Sequence, residues 1–330
     1  MGVKLKMSVA ECKVAIIGAG NMAKEHVRAF RDVPGVRLVG IHSRTRSKAK
    51  ALAEEFNIER VFDSITELYN HTHADLVVVT VLEMAMNPVS RACFEYPWTV
   101  LLEKPPGYTI ADAIEIRDAA NRKKRNVLVA LNRRFLSSTR SVREEIINTD
   151  KTIFIKIRDQ ENQKKALLVG QPEAVVNNWM YANSIHLIDF FQIFGRAKVK
   201  VVEPIIPWDP KRPNVVISRL EYENGDLGLY EGIWNGPGPW AVEVFSAEKR
   251  WELRPIEQAS VQLINQRSAE PFHVHPWDIE YKPGFRLQAE MVVKSTLGER
   301  SESPTLDDSM MTMRIIEAIF SPEKKAIVVS

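Results

Sequence analysis

The chain has 330 residues, 45% of them hydrophobic, which is too much for one small core and points to two units with a cleft between them. Its 45 lysines and arginines face 42 aspartates and glutamates, and the net charge of +3 is scattered, which excludes recognition of nucleic acid by field strength. Only Cys12 and Cys93 are present, without C-x-x-C spacing, which excludes a disulfide framework or a cysteine zinc site and fits a reducing compartment.

The opening residues, MGVKLKMSVAECK, lack the apolar run of a signal peptide or membrane helix, so a cytoplasmic protein with no membrane partner is expected. Gly2 is no myristoylation site, because Lys6 stands where a small hydroxyl residue is needed. From Lys13 short apolar runs alternate with amphipathic stretches: KVAIIG, NMAKEHVRAFRDV, VRLVGIHS and RSKAKALAEEF. The alternation continues through ADLVVVTV, NPVSRACFEY, WTVLLEK, IADAIEIRDAANRKK and NVLVALN. Strand and helix in turn, with strands nearly continuous in Val, Ile and Leu, predict an α/β doubly wound parallel sheet over residues 1–132.

Within it, IIGAGNMA sets Gly18 and Gly20 directly after a strand and before a helix. The first glycine permits the tight turn, the second lets the backbone approach a pyrophosphate, and the helix N-terminus offers it unpaired N–H groups, with Ala23 as the third small position. The second strand ends in Ser43 and Arg44 where NAD selection would use a carboxylate. A hydroxyl beside a guanidinium suits a 2′-phosphate, so NADP is expected, with NAD as the alternative should Arg44 only stack on the adenine. LLEKPPGY then places Glu103 and Lys104 at the carboxyl end of a strand, the edge of the ligand crevice in an open α/β sheet, with prolines fixing the loop. The expected cofactor-binding residues are Gly18, Gly20, Asn21, Met22, Ser43, Arg44, Thr80, Glu103 and Lys104.

Beyond residue 150 the texture changes. TIFIKIR, VVISRLEYENGDLGLYEGIW and WAVEVFSAEKRWELRP alternate apolar and polar residues between NG and EK turns, predicting an α+β second unit, 133–330, on a mostly antiparallel open-faced sheet. One helix, WMYANSIHLID, interrupts it, and two more close the chain near 283–297 and 306–320, the last able to pack back on the first unit. The alternation over 213–246 leaves an apolar face without enough helices to cover it, so a homodimer or homotetramer is expected.

The GAGNMA turn, the EKPPG segment, LNRRF at 131–135, a histidine before LIDFFQIFG and the closing TLDDSMMTMRIIEAI together resemble the glucose-fructose oxidoreductase and inositol dehydrogenase (Gfo/Idh/MocA) family of NAD(P)-dependent sugar oxidoreductases. The resemblance implies a Rossmann domain, then a substrate and oligomerisation domain, and hydride transfer between a nicotinamide and a sugar, a sugar-derived alcohol or ketone, or a nucleotide sugar. Lys104 matches the lysine of the family's E-K-P motif, and His186 the histidine of its D-x-x-x-H helix. The aspartate of that motif is absent: Ala182 stands in its place.

Lys104 and His186 are therefore the candidate catalytic residues, because hydride transfer needs one proton donor or acceptor on the oxygen. His186 could equally be a satisfied core histidine or the remnant of a silent site. Asn183, Tyr181, Arg133 and Trp234 are candidate sugar contacts, Arg134 being the more structural of the arginine pair. His273 and His275 would face one side of a strand but lack a third ligand, so no metal is expected. The rival reading, kept open by Ala182, is a catalytically silent NADP(H) sensor or scaffold.

Overall fold

The computed structural model describes residues 10–329; the readings of the leader, Gly2 and Lys6 lie outside them. The first sheet contains β1 (Cys12–Ile17), β2 (Val36–His42), β3 (Val61–Phe62), β4 (Leu76–Val79), β5 (Thr99–Leu102) and β6 (Val127–Val129). They lie in the order β3-β2-β1-β4-β5-β6, all parallel. The order reverses beside β1, which opens a crevice at the carboxyl ends of β1 and β4. Val14 to Ile16 and Leu76 to Val79 are fully buried, as strands covered on both faces require.

The covering helices are α1 (Asn21–Arg31), α2 (Arg46–Phe56), α3 (Ile65–Thr72), α4 (Glu83–Cys93) and α5 (Ile110–Arg122). Ser64 caps α3 and Thr109 caps α5, each side chain accepting from the backbone N–H three residues on. The β3–α3 unit was missed in the sequence because its strand has two residues. α4 begins four residues before Asn87 and carries Pro88 inside it.

The second sheet contains β7 (Phe154–Glu161), β8 (Val199–Ile206), β9 (Val215–Tyr222), β10 (Leu227–Trp234), β11 (Ala241–Phe245), β12 (Lys249–Leu253), β13 (Ala259–Leu263), β14 (Glu270–Pro271) and β15 (Ile327–Val328). Its order is β14-β13-β12-β11-β7-β10-β9-β8-β15, antiparallel except where β7 meets β10. The β9–β10 hairpin turns at Gly225, with φ +85°, in the ENGD stretch.

More helices accompany this sheet than the sequence suggested: α6 (Ser137–Ile147), α7 (Gln163–Leu168), α8 (Glu173–Val176), α9 (Ile185–Ile188), α10 (Phe190–Phe194), α11 (Trp277–Glu280), α12 (Phe285–Thr296) and α13 (Leu306–Ile319). They correct the expectation of an uncovered apolar face. Val216, Leu220, Tyr222 and Tyr230 are at most 3% exposed. The Tyr222 hydroxyl donates to the Phe191 carbonyl on α10, and Ser218 to Ile319 on α13. The open face instead mixes half-exposed Val215, Leu227 and Ile233 with ion pairs, Lys156 to Glu231 at 3.0 Å and Arg219 to Glu203 at 2.9 Å.

The two sheets share an apolar core. α13, opened by a capping box of Thr305 and Asp308, packs on α5 as well as on the second sheet, and α12 lays Phe285, Ala289 and Val292 against Val27 and Phe30 of α1. Each of the valine and phenylalanine side chains, once buried, contributes roughly 1.5–3 kcal/mol before the entropy of ordering it. At their junction the Arg134 guanidinium forks onto Asp189 at 2.7 and 2.8 Å, and Thr312 of α13 donates to the same carboxylate at 2.8 Å.

Candidate active site

A cavity of about 910 Å³ runs from the glycine turn to the helix carrying His186. At one end stand Gly18, Gly20, Asn21 and Met22. Gly18 has φ +110°, and a Cβ there would meet the Thr80 carbonyl oxygen and Oγ1 at 2.5 Å, so this turn accepts only glycine. A Cβ on Gly20 would project into open space, and no side chain caps α1. The first amides of α1 thus face the cavity without intrahelical partners, an arrangement that fits a pyrophosphate.

Ser43, Arg44, Thr45 and Lys48 line the far end of the same wall. Among the described residues Arg44 makes no ion pair, whereas its neighbour Arg46 is held by Asp63. Thr80 sits under the glycine turn, its hydroxyl donating to the Ile17 carbonyl. Glu103 reaches the cavity wall, but its carboxylate is turned inward. It pairs with His26 Nε2 at 2.8 Å and accepts from the Lys104 amide at 3.1 Å. Burial, the largest single influence, opposes its charge, but the bond and charge of His26 together with the Lys104 ammonium and amide outweigh it and hold the carboxyl below its usual range. Glu103 thus anchors the loop through both oxygens while remaining part of the cavity wall.

Lys104 follows β5 and enters the cavity, its Nζ donating to the Ala182 carbonyl at 2.6 Å. That carbonyl belongs to a π-turn, Met180–Ser184, which precedes α9. Wide turns of this kind recur at functional sites and loosen the backbone ladder. Burial pushes the Lys104 ammonium below its ordinary value, against the attraction of Glu103 and Glu83. His186 lines the same cavity, its ring centroid 6.2 Å from that of Trp240, and its Nδ1 is buried without a partner. Burial, then Lys104, Arg133 and Lys282, drive it well below the usual histidine range. The imidazole is neutral near pH 7, suited to accepting or donating one hydrogen bond.

Asn183 and Arg133 also line the cavity, and Arg133 Nη1 donates to Glu257 at 2.8 Å. Tyr181 and Trp234 do not, and both expectations are corrected. On a helical turn residues two apart point to opposite sides, so with Asn183 in the cavity Tyr181 faces a separate hollow beside Trp208 and Glu317. Trp234 shares the inward parity of Tyr230 on β10 and is 2% exposed between Trp208 and Phe320. The tryptophan that reaches the cavity is Trp240, at the other end of the WNGPGPW turn. His273 and His275 lie past β14, off any strand, and no group of three potential metal ligands occurs among the described residues.

Several cavity residues escaped the sequence reading. Among them, Phe285 at the start of α12 and Lys282 in the turn before it are distant in sequence and apparent only once that helix packs on α1, and Gln171 comes from a loop without pattern.

Residues 12–131 match the family model described as the oxidoreductase family with an NAD-binding Rossmann fold, GFO_IDH_MocA. The chain is similar to 4-carboxy-2-hydroxymuconate-6-semialdehyde dehydrogenase of Sphingobium sp., 21% identical over 69% of this chain and 73% of that one. It is similar to D-glucoside 3-dehydrogenase of Escherichia coli, 29% identical over 44% of this chain and 42% of that one. The match thus spans less than half the length of the second relative. Among solved structures, a dehydrogenase from Chromobacterium violaceum superposes with a TM-score of 0.81 at 19% identity, over 94% of this chain and 95% of that one. Levoglucosan dehydrogenase in complex with NADH and levoglucosan gives 0.77 at 16% identity, over 97% and 99%. Both establish the shared fold.

Proposed function

Because this chain belongs to the Gfo/Idh/MocA family of oxidoreductases, we propose that it transfers hydride between a nicotinamide cofactor and a CH–OH group of a sugar or sugar-derived alcohol. The observation that carries this reading is the single cavity joining the glycine turn to Lys104, Asn183 and His186. The residues beyond 132 supply the substrate wall, copies associate as a homodimer or homotetramer through the mixed open face that carries Val215, Leu227 and Ile233, and the protein works in the cytoplasm. No helix among the described residues is long and apolar enough to cross a membrane.

Bound at the glycine turn, the nicotinamide supplies the hydride acceptor or donor. Lys104, its charge disfavoured by burial, takes the proton from the carbinol oxygen in oxidation and returns it in reduction. His186 orients the same oxygen as a neutral imidazole. Asn183 and Trp240 hold the sugar body, the indole offering a face to ring C–H groups. A screen of reduced-cofactor fluorescence tests the reading, run with NADP and NAD against glucose, glucosides, inositol and anhydrosugars. Turnover of at least one of them is expected. Cofactor binding with no turnover would favour the silent sensor.

The preferred cofactor in this proposal is NADP, because Arg44, which makes no ion pair among the described residues, stands at the adenosine end beside Ser43, Thr45 and Lys48. Arg44→Ala is expected to cost about 1–3 kcal/mol of NADPH affinity, the range for charge-assisted bonds to phosphate, and to leave NADH nearly unchanged. Calorimetric titration reads both. Equal affinities for the two cofactors, unmoved in the variant, would contradict the preference.

A further inference from the structure

The cavity lacks the helix carboxylate at Ala182, yet a carboxyl group lies beside the same π-turn on another element. Asp159 and Glu161, two apart on β7, point to the same inward face and are each 2% exposed. Glu161 accepts from Asn183 Nδ2 at 3.0 and 2.8 Å and from Trp179 Nε1 at 2.6 Å. Asp159 accepts from the Tyr230 hydroxyl at 2.7 Å. Glu161 borders a hollow of about 470 Å³ that shares Gln171, Asn183 and Trp240 with the main cavity.

We propose that Glu161 replaces the missing helix carboxylate as a positioning residue, acting through Asn183 to fix the orientation of a substrate hydroxyl. With Nδ2 directed at both oxygens of Glu161 and the Glu161 proton shared with Asp159, the Asn183 carboxamide is held in one flip and its Oδ1 remains as an acceptor. An acceptor at that place selects a hydroxyl-bearing ring over a ketone or an apolar ring. The neighbours fit a carboxyl that holds its proton. Asp159 lies beside it on β7, the Tyr230 hydroxyl approaches from β10, and Lys104, its own charge disfavoured by burial, acts on it from the loop after β5. Burial and then Asp159 push Glu161 up to about 9. Below that pH the group is neutral and leaves the Lys104 amine free of a buried anion. Above it a charge appears next to Asp159, whose own carboxyl burial also raises.

This inference rests on the oxidoreductase reading, and its test keeps the two apart. With the best substrate of the sugar screen, Glu161→Ala is expected to raise KM about tenfold, the scale of one lost orienting hydrogen bond, with cofactor affinity unchanged. Glu161→Gln retains the acceptor for Asn183 and is expected to restore most of that loss while abolishing the rise in KM expected of the unaltered protein as pH passes about 9. An unchanged KM in Glu161→Ala, or the same basic limb in Glu161→Gln, overturns the proposal. Should no sugar turn over, the oxidoreductase reading fails, and infrared spectroscopy decides the carboxyl separately. A protonated-carboxyl band at neutral pH that is missing in Glu161→Gln supports its placement, and absence of that band in the unaltered protein overturns it.

Discussion

Lys104→Ala is expected to lower turnover by roughly 10²- to 10⁴-fold, the range for removal of a principal acid or base, while NADPH affinity stays intact. The ground is position and environment together. Lys104 follows β5 at the crevice edge, its Nζ reaches the Ala182 carbonyl, and burial lowers the cost of losing its proton. His186→Ala is expected to cost only about tenfold, the scale of one hydrogen bond. Its imidazole is already neutral near pH 7, driven there by burial and the nearby cations, and has no anion to favour an imidazolium. The sign follows for pH: oxidation rises with pH through the lowered Lys104 value and levels off below the ordinary lysine range, with no limb at the usual histidine value. Single-turnover rates of the two variants across pH check this. A larger loss in His186→Ala would exchange the two roles.

Asp189→Ala is expected to destabilise the fold by about 3–5 kcal/mol, because it strands a guanidinium in the interior. Asp189 is 1% exposed and receives both arms of the Arg134 fork, together with the Thr312 hydroxyl. The cluster ties the segment after β6 to the start of α10 and to α13, which packs on both units. Urea unfolding followed by circular dichroism reads the loss. A change under about 1 kcal/mol, the range of exposed pairs, would mean that the cluster is not buried as the structure has it.

The parallel sheet was legible because strands buried on both faces carry unbroken apolar runs, and KVAIIG and ADLVVVTV contain little else. The glycine turn was legible because Gly18 has no substitute at its backbone angle. The covering of the second sheet was not, since α7 to α10 span four to six residues each, too few to show a helical period. The same limit hid the π-turn: WMYANSIHLID reads as one regular helix, although its spacing already sets Tyr181 opposite Asn183. Trp234 misled because the parity of β10 fixes its direction, and parity depends on where the strand starts. Glu161 was invisible for the opposite reason. The DQE at the end of β7 reads as a strand emerging into solvent, whereas Asp159 and Glu161 turn inward beneath the π-turn.

The central claim, that one cavity brings a nicotinamide and a CH–OH carbon together, is tested most directly by isotope transfer. A sugar that turns over in the screen, deuterated at the reacting carbon, is incubated with the oxidised cofactor, and the reduced cofactor is analysed by mass spectrometry. The account predicts that the deuterium is found on the nicotinamide ring, and that Lys104→Ala slows its appearance by roughly 10²- to 10⁴-fold without releasing the cofactor. Cofactor that is reduced without carrying the label, or label transfer that persists in Lys104→Ala at an undiminished rate, would contradict it.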